Sequence, residues 1–304
     1  MSVLHGGTAA DADRAPPSGG FDARSDLAYF TGLWETRGRG PVCHTPELWD
    51  SRADEWIGGL ERGAGRPGMR DRAEAAALYL RNRGLLGAND SVIDVGCGPG
   101  LFVAEFAETA GHATGFDYSS RFIGYAEKYA AGRGVANVSF RVCDFTAIDI
   151  DAEGLAGAFD LVFTSITPAA SAKGCMDKLI RMSRGWCYNA SFVHAEDDLA
   201  ERVSRDVFGE RFTPRWNGSG FYALVNLLWL SGYYPETTYY DETRDEDAAP
   251  EMALASELAS RCGHESGGDA GLVLRYLEKA GEIRRHSLFR YGAILWNVTQ
   301  RDRR

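Results

Sequence analysis

Residues 92–100 read Val-Ile-Asp-Val-Gly-Cys-Gly-Pro-Gly, a short β-branched run that breaks into a glycine-rich turn. Leu101 to Thr109 follows at once with helical character. Strand, turn and helix N-terminus in that order make a binding place for a nucleotide-type ligand, because a turn without side chains lets a ligand approach the backbone and meet the helix amides. The spacing is G-x-G-x-G rather than G-x-G-x-x-G, so the turn offers room for a nucleoside and no clear pyrophosphate cradle.

The following segments repeat the pattern. Ala113–Phe116 reads as a second short strand ending at Asp117, roughly 20 residues after the glycine turn, where a doubly wound fold places an acid on ribose hydroxyls. Val138–Val142 alternates as a third strand and runs into Cys143-Asp144-Phe145, and Phe159–Phe163 reads as a fourth, followed by Thr164 and Ser165. Each leaves a polar residue at its carboxyl end, the side on which open α/β sheets bind ligands.

Taken in order, Val92–Gly100, Gly115-Phe116-Asp117, Cys143-Asp144-Phe145 and Phe159-Asp160-Leu161-Val162-Phe163 resemble the four motifs of the class I S-adenosylmethionine-dependent methyltransferases, over about a quarter of the chain. The Leu48–Trp56 segment is similar to the entry helix of bacterial small-molecule members. The resemblance implies an α/β fold: a doubly wound, Rossmann-like seven-stranded sheet with N-terminal helices and a helical insertion before the last strand. It implies S-adenosylmethionine as cofactor, with the methionine part on Gly96, Gly98 and the neighbouring Cys97 and Gly100. The ribose falls to Asp117, the adenine amino group to Asp144, and an adenine nitrogen to the Phe145 amide. Tyr118 lies against the adenine, and Ser165 completes the cofactor set at the end of the fourth strand. Asp94 is expected to orient the amides of the glycine turn and to act on the cofactor indirectly. For Asp117 the plain alternative is a helix N-cap, and for Cys97 a small space-filling residue.

The formal charge of −10 over 304 residues argues against broad nucleic-acid binding, which needs clustered Lys and Arg. The short basic runs Arg284-Arg285 and Arg301–Arg304 read as a solvated face and a charged tail. Six scattered cysteines without a C-x-x-C pair, and no secretory signal, suggest reduced thiols in a cytoplasmic protein. Cys43-His44 has no second pair nearby, so no metal site is expected. No apolar stretch is long enough to cross a membrane. The expected partner is a small-molecule acceptor, with a homodimer left open.

Along the chain, residues 1–20 read as a mobile tail and 21–87 as an N-terminal helical cap. Residues 88–304 read as the methyltransferase domain, with an insertion at about 245–285 between a strand at Pro235–Tyr240 and a last strand at Phe289–Val298. Two helical patterns around Gly263–Gly268 make that insertion a candidate lid over the mouth of the site.

His194, followed by Glu196, Asp197 and Asp198 after the fifth strand, is the candidate general base, with a solvated helix start as the alternative. Trp49, Trp56, Asn189, Trp216 and Tyr222 are candidate acceptor contacts, since aromatics with few charges suit a small organic molecule. Two other readings stay open: a nicotinamide or flavin oxidoreductase, which predicts the absent G-x-G-x-x-G, and a non-catalytic S-adenosylmethionine-binding protein.

Overall fold

The computed structural model describes residues 23–35, 45–61, 68–214, 218–281 and 283–302. The expected tail, Cys43-His44 and Trp216 lie outside the described residues. Strands β1 (Ser91–Val95), β2 (His112–Asp117), β3 (Val138–Val142), β4 (Phe159–Ser165) and β5 (Ser183–Asp197) are parallel to one another. β6 (Glu236–Ala248) and β7 (Ile283–Asn297) complete the sheet, with β7 antiparallel to both β5 and β6. The order is β3-β2-β1-β4-β5-β7-β6. β1 has parallel neighbours on both sides and is buried from Val92 to Val95, which is why its β-branched residues do not alternate with solvent-facing polar ones.

Among the described residues three helices precede the sheet: α1 (Ala23–Glu35), α2 (Pro46–Glu61) and α3 (Met69–Asn82). α4 (Leu101–Ala107), α5 (Ser120–Gly132) and α6 (Cys175–Met182) connect the parallel strands, and α7 (Asp198–Val203) and α8 (Ser219–Leu230) lead from β5 to β6. α9 (Met252–Arg261) and α10 (Gly267–Ala280) stand between β6 and β7. They share a small apolar core with α7 through Leu199, Val203, Leu258, Val273 and Leu277. No described helix is long and apolar enough to cross a membrane.

β5, β6 and β7 are longer than their apolar stretches suggest. β6 continues past Tyr240 to Ala248, and β7 begins at Ile283 rather than Phe289. The extension, Asp241–Ala248, is almost wholly polar and carries little strand propensity of its own. Opposite charges across the register hold it instead: Asp241 faces Arg290, Asp245 faces His286, and Asp247 faces Arg284. Only half of Arg284-Arg285 is solvated. Arg284 is exposed, whereas Arg285 is buried and bonds Asp197 on β5 and Glu257 on α9.

The central layer packs aromatic on aromatic. Phe163 on β4 stacks on Tyr188 with ring centroids 4.7 Å apart and meets Phe106 at 4.9 Å and Phe102 at 5.0 Å. Phe163→Ala should cost about 3–5 kcal/mol, the range for emptying a buried Phe site. Urea denaturation of the variant against the wild type measures it.

Candidate active site

The glycine turn after β1 is stitched to the end of β2. The amides of Gly96 and Cys97 both donate to the Phe116 carbonyl, at 2.7 and 3.0 Å, and the Gly98 amide donates to Asp117 Oδ2 at 2.8 Å. Asp117 Oδ1 accepts from the Ser119 amide at 2.9 Å. Gly98 sits at φ +52° with open space where a Cβ would stand, so the turn presents bare backbone there. A Cβ on Gly96 would run into the Thr167 side chain, so that position is closed by packing. Gly100 is the N-cap of α4.

The helix-cap alternative for Asp117 falls to Ser119, whose hydroxyl accepts from the Phe122 amide and caps α5. Asp117 instead lines a cavity at the end of β2. Ser119 also donates to Asp50, which ties α2 to this corner and holds the Asp50 carboxyl below its usual range.

Asp94 does not orient the turn. The amides it was expected to hold go to Phe116 and Asp117, and its own Oδ1 is buried without a hydrogen-bond partner among the described residues. Burial, with the charge of Asp117 added, pushes its carboxyl well above the usual range. Burial also raises Asp117, against the amides of Ser119, Gly98 and Tyr118 that lower it.

The cavity measures about 1130 Å³. One end is formed by Gly96, Cys97, Gly98, Asp117, Tyr118 and the Asp144–Phe145 pair; Ser165 closes β4 beside them. Asp144 Oδ1 accepts from the Thr146 amide and hydroxyl, at 2.9 and 2.6 Å, which fixes the carboxylate at the cavity edge. Next to Ser165, Ile166 has φ +53°, a left-handed conformation that a β-branched residue seldom takes. Its amide donates to the Ala190 carbonyl at 2.9 Å, which holds it there. The other end is walled by Phe192, Phe289 and Tyr291 from β5 and β7, Arg72 from α3, and Leu254 and Glu257 from α9. Trp49 and Trp56 on α2 also line it.

Besides Asp94 and Gly100, three sequence candidates do not line this cavity. His194 is half exposed on β5, beyond the irregularity that separates it from Phe192, and its Nε2 lies 2.9 Å from Glu196 Oε1. Asn189 is buried within the sheet, donating to Thr164 Oγ1 at 2.8 Å. Tyr222 on α8 lies in a shallow groove beside Val193 and Tyr239, against Phe30 of α1. In place of these the fold brings up Arg72, Arg244, Phe192, Phe289 and Tyr291, which sequence reading passed over. Arg72 carried one signal: it lies three residues after Met69 and four before Ala76, on the apolar face of α3.

A family model described as a methyltransferase domain matches residues 86–209. Residues 86–209 of the chain thus carry a methyltransferase domain. Three solved structures are similar to it. The YcgJ protein of Bacillus subtilis is 13% identical, covering 72% of this chain and 98% of its own, with a TM-score of 0.47. Magnesium protoporphyrin IX methyltransferase of Synechocystis PCC 6803, solved with S-adenosylhomocysteine, is 14% identical over 90% of this chain and 98% of its own, at 0.42. Coclaurine N-methyltransferase, bound to N-methylheliamine and S-adenosylhomocysteine, is 15% identical over 90% and 88%, at 0.48.

The residues present suit S-adenosylmethionine. The turn leaves open space at Gly98, and Asp117 and Asp144 line the same end of the cavity, with Asp94 buried behind them. A cluster of acids there matches a ligand with a sulfonium and an ammonium group. Before such a ligand arrives, the raised carboxyls cost stability. A carboxyl that binds its proton more tightly when folded favours the folded state at low pH, and that gain is lost as pH rises from the unfolded value, about 3.9, through the raised one. Asp94→Asn should therefore raise the Tm of the ligand-free protein at about pH 7, with the gap closing on acidification. Thermal unfolding across pH measures both.

Proposed function

We propose that this methyltransferase acts on a small organic acceptor, with S-adenosylmethionine over β1–β3 and the acceptor over β4, β5 and β7. The observation that carries this reading is the single cavity running from the glycine turn and strand-end acids to the wall formed by Phe192, Phe289 and Tyr291. Its volume, about 1130 Å³, has room for a cofactor with a modest second molecule. When bound, the cofactor supplies an electrophilic methyl group.

On this reading Gly96, Cys97, Gly98 and Gly100 shape the floor under the methionine part, and Asp117 accepts hydrogen bonds from the ribose. Both Asp117 oxygens already accept one backbone amide each, which pins the carboxylate while leaving further lone pairs. Tyr118, Asp144 and the Phe145 amide address the adenine, and Ser165 stands at the methionine end. Trp49 and Trp56 cover the site from α2, and Leu254 and Glu257 cover it from α9. On this reading the described helices of the N-terminal segment and the insertion at about 245–285 cap the methyltransferase domain of residues 88–304. The second cap is anchored rather than loosely hinged, because Arg285 joins Asp197 and Glu257 beneath it.

No histidine lines the cavity among the described residues, and burial pushes the Tyr291 hydroxyl up to about 12, so it stays protonated near neutral pH. The protein's contribution is then to align acceptor and cofactor and to exclude water.

Asp117→Ala should weaken S-adenosylhomocysteine binding by about 1.5–3 kcal/mol, read by titration calorimetry. An unchanged affinity in a folded variant would remove Asp117 from the ribose. Tritium-labelled methyl transfer from S-adenosylmethionine to a panel of small organic acceptors tests the activity itself. Transfer only to protein or nucleic acid would reject the acceptor class. With an acceptor in hand, His194→Ala should retain turnover close to wild type, since the ring is outside the cavity; a 10²-fold loss, typical of a missing general base, would return it to the reaction.

A further inference from the structure

Arg72 is an unusual residue to find in the wall of this cavity. It is about nine-tenths buried, with a relative exposure of 9%, yet its Nε has no hydrogen-bond partner among the described residues. Its Nη1 donates to the Tyr291 hydroxyl at 2.6 Å, and its guanidinium lies 4.8 Å from the centre of the same ring. The nearest carboxylate, Glu242, stands 3.8 Å from Nε, an ion-pair distance too long for a hydrogen bond. Glu242 is itself taken up by Arg244, whose Nε donates to Oε1 at 2.7 Å. Arg72 and Arg244 thus both approach the one Glu242 carboxylate. A buried guanidinium with an unmade hydrogen bond is costly unless a ligand completes it, and its planar fork matches a carboxylate.

The topology places this group with the acceptor. Arg72 is held by Tyr291 on β7, and Glu242 stands on β6. In the sheet order β4 and β5 separate β7 from β1, so at about 4.8 Å per strand β7 lies roughly 14 Å from the glycine-turn strand. The immediate surroundings are apolar: Phe192 packs 4.8 Å from Tyr291, and Phe289 lies under Arg244 at 4.9 Å.

We propose that Arg72, set by Tyr291 and the Glu242–Arg244 pair, binds a carboxylate on the methyl acceptor, so that the enzyme selects small organic acids with an apolar or aromatic body. This rests on the proposed methyl transfer to a small molecule and names the acceptor's class.

The test uses the full chain saturated with S-adenosylhomocysteine and a panel of aromatic and aliphatic carboxylic acids, each paired with its own primary amide, screened by ligand-observed NMR and followed by titration. The acids should bind about ten-fold or more tighter than their amides, the worth of one hydrogen bond to a charged group. Arg72→Lys and Arg72→Gln should lose this preference while keeping S-adenosylhomocysteine affinity. Equal binding of acids and amides to the wild type, or no binding by either, overturns the proposal without needing any variant to fold. So does a variant in which S-adenosylhomocysteine affinity falls and the acid preference survives, because Arg72 would then serve the cofactor's own carboxylate. Failure of S-adenosylhomocysteine to bind the wild type would instead strike the methyltransferase reading, which separates the two outcomes.

Discussion

The bonds between the glycine turn and the end of β2 set the geometry on which the rest of the site depends. Phe116 takes two amides of the turn through its carbonyl, and Asp117 takes the third through its side chain. The turn is therefore closed by its neighbouring strand rather than by its own side chains, and its ligand-facing surface is bare backbone. The same carboxylate also receives the Ser119 amide, so the start of α5 is fixed by the group that faces the ligand. Ser119 in turn holds Asp50 and brings α2, with both tryptophans, over the cavity. One carboxylate thus links floor, wall and roof.

That arrangement is not the most stable one available to the empty chain. Asp94 is buried with an oxygen that has no hydrogen-bond partner among the described residues, Asp117 is raised by the same desolvation, and Ile166 holds a left-handed backbone that costs on the order of 1–3 kcal/mol. All three lie at or just behind the carboxyl ends of the central strands. Unfavourable local terms gathered there, inside a sheet with aromatic packing on the order of Phe163 and Tyr188, mark where binding energy is to be recovered.

The parallel half of the fold was legible because its signals are local. A buried strand, a glycine turn and a strand-end acid are each contiguous, and Gly96–Gly98, Asp117 and Asp144 line the cavity. The antiparallel half was not legible in the same way. Asp241–Ala248 forms a strand through partners some 40 residues away, so neither its composition nor its period announces it. His194 misled because three nearby acids looked like a catalytic cluster, while the strand period and a register irregularity put Phe192 and Ala195 on the cavity and turn His194 outward. Arg72 was hidden for the opposite reason. An arginine in an alanine-rich helix resembles a solvated charge until β7, more than two hundred residues later, supplies Tyr291.

The charged extension of β6 has a consequence for the behaviour of the molecule in bulk. β6 is the last strand of the sheet, and its outer edge runs for thirteen residues without a further strand among the described residues. An open edge of that length is a template for another chain to add to. Here it carries Asp241, Glu242, Asp245, Glu246 and Asp247, so two such edges brought together would set like charge against like. The acids that zip β6 to β7 therefore also keep the sheet finite. That protection is electrostatic, which means that high salt weakens it and acidification removes it, leaving a long strand edge free to nucleate ordered aggregates.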